Sequence, residues 1–117
     1  MPEGTPILKW ANLLIESTEK IGRPCTVAPR FKDMMEAVGF VDVQETVYKW
    51  PTNPWPKDKQ AKELGMWAEI ASLAGLEAMT LALFTRVLGW THEETAVFAA
   101  QVRKDMRNRS IHAYWAL

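Results

Sequence analysis

The sequence predicts a mostly α fold of the α+β class, with two short strands, and three observations carry that expectation. Apolar residues recur at helical spacing through most of the chain, between glycines and prolines that mark helix ends. Strict apolar–polar alternation appears around residues 40–49. The tail IHAYWAL is suited to a second short strand over 111–116. A length of 117 residues fits one domain, 1–117, with a modest core.

The first helix is expected over residues 5–21. Thr5 followed by Pro6 is an N-cap with proline at the first helical position, and Ile7, Leu8, Ala11, Leu14, Ile15 and Thr18 keep the spacing. Gly22 ends it and Pro24 enforces the stop. A second helix, 29–38, opens near Pro29, runs through Phe31, Met34, Met35 and Val38, and closes at Gly39. In the strand 40–49, Val41, Val43 and Val47 point to a buried face, while Asp42, Gln44 and Thr46 point away. Next comes WPTNPWPKD, residues 50–58. Pro51, Pro54 and Pro56 exclude helix and central strand there and stiffen a connector that carries Trp50 and Trp55.

Helix resumes over 59–74, with Leu64, Trp67, Ala68 and Ala71 as its apolar stripe, and Gly75 predicts a kink or break. The stretch 76–88 is apolar nearly all round, with Glu77 and Arg86 its only charges, so it should be covered on most sides or sit in an interface. Gly89 closes it. Thr91-His92-Glu93-Glu94 has the T-x-x-E pattern of a capping box and opens a last helix, 92–107. Arg103, Lys104 and Arg107 suit the negative end of that helix, with Arg109 just beyond. The two strands are far apart in sequence, and if they pair, each still has an open edge.

Lys plus Arg and Asp plus Glu balance at 14 each, which argues against a nucleic-acid footprint. Cys25 is the single cysteine, so no internal disulfide forms, and a reducing compartment is expected: cytoplasmic, with a nuclear location also open. No signal-peptide pattern is present, and no uninterrupted apolar run reaches the roughly 18 residues of a membrane span. The six tryptophans are many for so short a chain; they either build most of the core or face a partner or ligand.

Several phrases of this chain resemble the C-terminal region of fungal velvet-complex-type, LaeA-like methyltransferases that use S-adenosylmethionine. These are WANLLIESTEKIGRP from Trp10 to Pro24, GFVDV from Gly39 to Val43, and P-x-N-x-W-P-K-D through Pro51, Asn53, Trp55, Pro56, Lys57 and Asp58. They continue with K-E-L-G from Lys62 to Gly65 followed by Trp67, L-F-T-R-x-L-G-W from Leu83 to Trp90, and H-A-Y from His112 to Tyr114. The resemblance implies a remnant of the class I methyltransferase fold, specifically the helices and aromatic connector over the acceptor pocket. Such folds hold their cofactor with a glycine-rich turn after one strand and an acid after the next. The glycines here, at 4, 22, 39, 65, 75 and 89, lie far apart and form no such turn. No cofactor is therefore expected, and no methyl transfer by the chain alone.

Among chemistry-bearing residues, His112 and Tyr114 stand two apart on the expected last strand and share a face. They are the candidate catalytic acid–base pair; the plainer reading is structural, since no third group orients them in sequence. Trp50, Trp55, Trp67 and Trp115 are the candidate ligand-binding residues; Trp50 and Trp55 stand on the proline-stiffened loop, where two indoles can wall an apolar pocket. Their structural alternative is to cap the core. His92 belongs to the capping box, and the H-E-E spacing is not that of a metal site. Cys25, in a loop after Pro24, lacks an adjacent base. No metal is expected.

These readings predict a homodimer that binds a hydrophobic small molecule, with cofactor-free cyclisation, isomerisation or dehydration in fungal secondary metabolism as its reaction class. The alternatives are an interaction subunit docking on an intact methyltransferase, and a fragment without independent function. No nucleic-acid or membrane partner is expected.

Overall fold

The computed structural model describes residues 2–117. Helix α1 spans Pro6–Lys20, α2 Phe31–Ala37 after a 3-10 turn at Ala28–Arg30, strand β1 Lys49–Pro51, α3 Lys59–Arg86, α4 His92–Met106, and strand β2 Tyr114–Ala116. Helices α1, α3 and α4 pack on one another, and the β1–β2 ribbon leans on α3. Ile7, Trp10, Leu76, Phe84, Phe98, Val102, Met106, Ile111 and Ala113 form one core cluster.

Thr5 sits in extended backbone before α1 with Pro6 in the first turn. Its hydroxyl does not cap the helix; it donates to the Pro2 carbonyl at 2.7 Å. The cap comes from elsewhere. The Ile7 N–H donates to the Asp105 carboxylate at 3.0 Å, so an acid near the end of α4 meets the positive end of α1. On the same helix, the buried Trp10 indole donates to the Thr80 hydroxyl at 2.9 Å, and that hydroxyl donates to the Leu76 carbonyl at 2.6 Å. One hydroxyl thus satisfies a buried indole while its own proton stays within α3. Gly22 closes α1 at φ 72°, as its place after the last turn requires.

The break expected at Gly75 does not occur: α3 is one helix of 28 residues. Glycine keeps its N–H and reaches helical dihedrals freely, so its cost is entropic, about 1 kcal/mol relative to alanine. Burial of Leu76, Thr80 and Phe84 just beyond it outweighs that cost. Asp58 caps the helix by accepting from the Ala61 N–H at 2.9 Å. The unbroken length also revises the membrane reading. By length and composition alone α3 is long and apolar enough to cross a membrane, although Glu69 and Glu77 interrupt its apolar run. In this fold it packs on α1, α4 and β1. The capping box of α4 forms as its pattern predicts: Glu94 N–H donates to Thr91 Oγ1 at 3.1 Å, and Thr91 N–H to Glu94 Oε2 at 3.2 Å.

The strand expected over 40–49 is mostly absent. Only Lys49–Pro51 is strand, and Val41 and Val47 are exposed rather than buried. Alternation predicts a buried face only where a second layer exists to bury it, and no described element covers this one. Asp42 adopts a left-handed φ of 56°, which also interrupts the run. The connector contributes strand residues after all, because Trp50 and Pro51 belong to β1. The ribbon is antiparallel, with Lys49 opposite Ala116, Trp50 opposite Trp115 and Pro51 opposite Tyr114. Tyr48 and Leu117 extend it by exchanging N–H···O bonds at 2.7 and 2.8 Å, and the Thr52 N–H donates to the Ala113 carbonyl at 3.0 Å. Residues 48 and 52 therefore turn their bonding groups toward β2. Pro51 faces the outer edge, where its missing N–H leaves no bond unmade. β2 is shorter than the 111–116 expected, since Ile111 and Ala113 turn into the core.

Asn53 locks the connector to the body. It is fully buried, and its Nδ2 donates to the Met106 and Asn108 carbonyls, both at 3.0 Å, at the open end of α4. A Cβ on Gly65 would lie 2.3 Å from the Asn53 carbonyl oxygen, so α3 and the connector approach as closely as only glycine permits. Gly65→Ala and Asn53→Ala should each lower stability by about 1–3 kcal/mol, through overpacking and unpaired carbonyls respectively. Thr80→Val, nearly isosteric, should cost about 1–3 kcal/mol by stranding the Trp10 indole N–H. Urea unfolding followed by circular dichroism measures all three, and wild-type midpoints would refute the packing described.

Candidate functional site

Two regions collect residues with chemistry or exposed apolar area. The first is an aromatic cluster on the β2 side of the connector. Trp55 stacks on His112 with ring centroids 4.3 Å apart and planes 11° apart, and meets Tyr114 edge to face at 5.2 Å. The Trp55 indole N–H donates to the Ala113 carbonyl at 3.1 Å, which fixes the ring between the two. His112 and Tyr114 do share a face, as their spacing predicts, and Trp55 is what joins them. Both are exposed, and neither side chain makes a hydrogen bond among the described residues. General acid–base work needs an oriented proton path, which nothing here supplies before a ligand arrives. The cluster presents a flat aromatic surface with one imidazole.

The remaining tryptophans divide. Trp50 and Trp115 are cross-strand neighbours; Trp115 meets the buried Trp10 edge to face at 6.4 Å, and its own indole N–H is buried without a partner. Trp50 is partly exposed, and Trp67 lies on α3, largely exposed and making no aromatic contact among the described residues. His92 opens α4, and Cys25 is an exposed free thiol whose backbone N–H donates to Thr18 Oγ1 at 3.2 Å.

The second region went unseen in the sequence. α2 buries none of its residues, and Phe31, Met34 and Met35 are about half exposed. Beside it Val38 is 75% exposed, Phe40 65% and Val41 83%. Helical spacing and alternation both mark these as core residues, so only the absence of a covering layer in the fold reveals the face. Between α2 and residues 43–47 lies an open cleft of about 330 Å³, lined in part by Phe31, Met35, Val43, Val47 and Leu117.

The described residues do not fit a methyl-donor cradle. Each glycine with positive φ, at 4, 22, 39 and 89, belongs to a turn before or after a helix, and none follows a strand. The turn after β1 is Thr52-Asn53-Pro54, already committed to holding α3 and α4 together. No group of three or more metal-ligating side chains occurs among the described residues.

No family model and no solved structure matches the chain. Curated proteins do. It is 36% identical over 115 residues to probable methyltransferase tdiE of Emericella nidulans, covering 98% of this chain and 36% of that protein. It is 37% identical over 113 residues to methyltransferase pytC of Aspergillus terreus, covering 97% of this chain and 35% of that protein. It is 32% identical over 114 residues to protein-methionine methyltransferase laeA of Emericella nidulans, covering 96% and 30%. The chain spans about a third of the length of these relatives. From the first helix to the H-A-Y strand, its sequence is similar to the C-terminal region of LaeA-like fungal methyltransferases.

Proposed function

We propose that this chain is the acceptor-side part of a methyltransferase-like unit, acting by docking its uncovered apolar face on an α/β body that holds the methyl donor. The observation that carries this reading is the run Val38, Phe40 and Val41, exposed at 75, 65 and 83% next to a helix that buries nothing. Contiguous exposed apolar area of that kind marks an interaction surface, and each side chain covered there contributes about 1.5–3 kcal/mol. The relatives are about three times as long as the match, so each has chain enough outside it for such a body. The chain alone then transfers no methyl group.

The reading predicts association with the part of the Emericella nidulans tdiE protein that lies outside the matched segment. Co-elution on size exclusion is expected. Calorimetry should detect S-adenosylmethionine binding by the mixture and none by the chain alone. Phe40→Asp with Val41→Asp, both on exposed side chains, should weaken association at least about ten-fold. If the two parts stay separate at every concentration, the docking reading fails.

A second reading is favoured by the cleft between α2 and residues 43–47, whose volume of about 330 Å³ suits a small apolar molecule. In it the chain holds a hydrophobic metabolite, and any reaction is a cofactor-free cyclisation, isomerisation or dehydration promoted by shape and exclusion of water. Titration with anilinonaphthalene sulfonate should give saturable fluorescence that Val43→Asp abolishes. Fluorescence untouched by Val43→Asp removes this reading.

A further inference from the structure

The outer edge of β1 carries a second interaction. Tyr48 and Thr52 direct their backbone groups at β2, so Val47 and Lys49 direct theirs away from it. The N–H and C=O groups of Val41 through Val47 make no backbone hydrogen bond among the described residues. Val47 and Tyr48 are 59% and 62% exposed. Glu45 and Lys49 have no ion-pair partner among the described residues, whose ion pairs are Lys20–Glu16 and Lys32–Glu36. An unpaired edge with free charges of both signs is a template for another strand.

We infer that a second copy of this chain takes that edge, residues 44–50 of the two copies pairing antiparallel about Val47. This register puts Glu45 of each copy opposite Lys49 of the other, Thr46 opposite Tyr48, Gln44 opposite Trp50, and Val47 opposite itself. The Glu45–Lys49 pair therefore forms twice by symmetry, and a β-branched residue faces an aromatic, pairings that stabilise antiparallel ladders. Neighbouring registers are worse. Pairing about Glu45 opposes two carboxylates, and pairing about Gln44 places the left-handed Asp42, φ 56°, inside the ladder. The chosen span also stops before Pro51, which has no N–H to give. The result is a four-stranded antiparallel sheet across the dimer, β2–β1–β1–β2, built from the two-stranded ribbon of each copy. Opposite charges on one strand select the second copy as occupant, because an isologous pairing needs a self-complementary edge and this edge is one. The near-zero net charge offers no opposing repulsion.

This inference goes beyond docking on an α/β body and does not depend on it, since its test uses the 117-residue chain alone. Light scattering after size exclusion, with sedimentation equilibrium for the constant, should give a dimer at about 50 µM. Glu45→Lys and Lys49→Glu, each alone, should raise the dimer dissociation constant about ten-fold or more, since two attractive pairs become two repulsive ones. The double variant Glu45→Lys/Lys49→Glu should return to within about two-fold of wild type. Circular dichroism confirms that each variant keeps its helices. A monomer at 50 µM, a dimer indifferent to the single changes, or a double variant no better than the singles would each overturn the inference. So would open-ended higher assemblies, because the pairing proposed is closed.

Discussion

Asn53 joins three parts of the chain that are distant in sequence. Its amide donates to the two carbonyls at the end of α4, its own carbonyl abuts Gly65 of α3, and its neighbours Pro51 and Thr52 carry the ribbon. With the side chain fully buried, the arrangement is rigid by construction: the donors have nowhere else to go, and the glycine contact admits no added atom. The Ala113 carbonyl repeats the device one step further on, accepting from the Thr52 N–H, the Thr52 hydroxyl and the Trp55 indole. The proline-rich connector is thus less a linker than the part that holds helices and ribbon together.

That arrangement explains why the chemistry-bearing residues lie where they do. Holding Ala113 and Trp55 together leaves His112 and Tyr114 on the outside of β2, against the indole and in reach of solvent. Holding Asn53 in the core consumes the turn that follows β1, the place where an open α/β sheet would receive a nucleotide. The chain is organised around its own packing on one side and around an incomplete surface on the other. The incomplete side, from α2 to β1, is apolar, poorly hydrogen-bonded and open. A face with this composition is most stable when covered, whether by an α/β body or, along the β1 edge, by a second copy.

Similarity to the LaeA-like methyltransferases fits this division. The match runs over nearly all of this chain and about a third of each relative. Residues that look like core by periodicity but lie bare in the fold lack a covering layer, since sheet residues are ordinarily buried by both neighbouring strands and facing helices.

Local chemistry was legible in the sequence wherever a short pattern sufficed. The Thr91–Glu94 capping box, proline at the start of α1 and glycine after it all follow from neighbouring residues whose groups satisfy one another. The shared face of His112 and Tyr114 was legible for the same reason, as a consequence of strand period. Tertiary packing decided the rest. Gly75 stays helical because residues from α1 and α4 bury its neighbours, and the Asp105 cap on α1 spans nearly the whole chain. The valines of 40–49 stay outside because alternation states only which residues want cover, whereas the cover itself must come from another element.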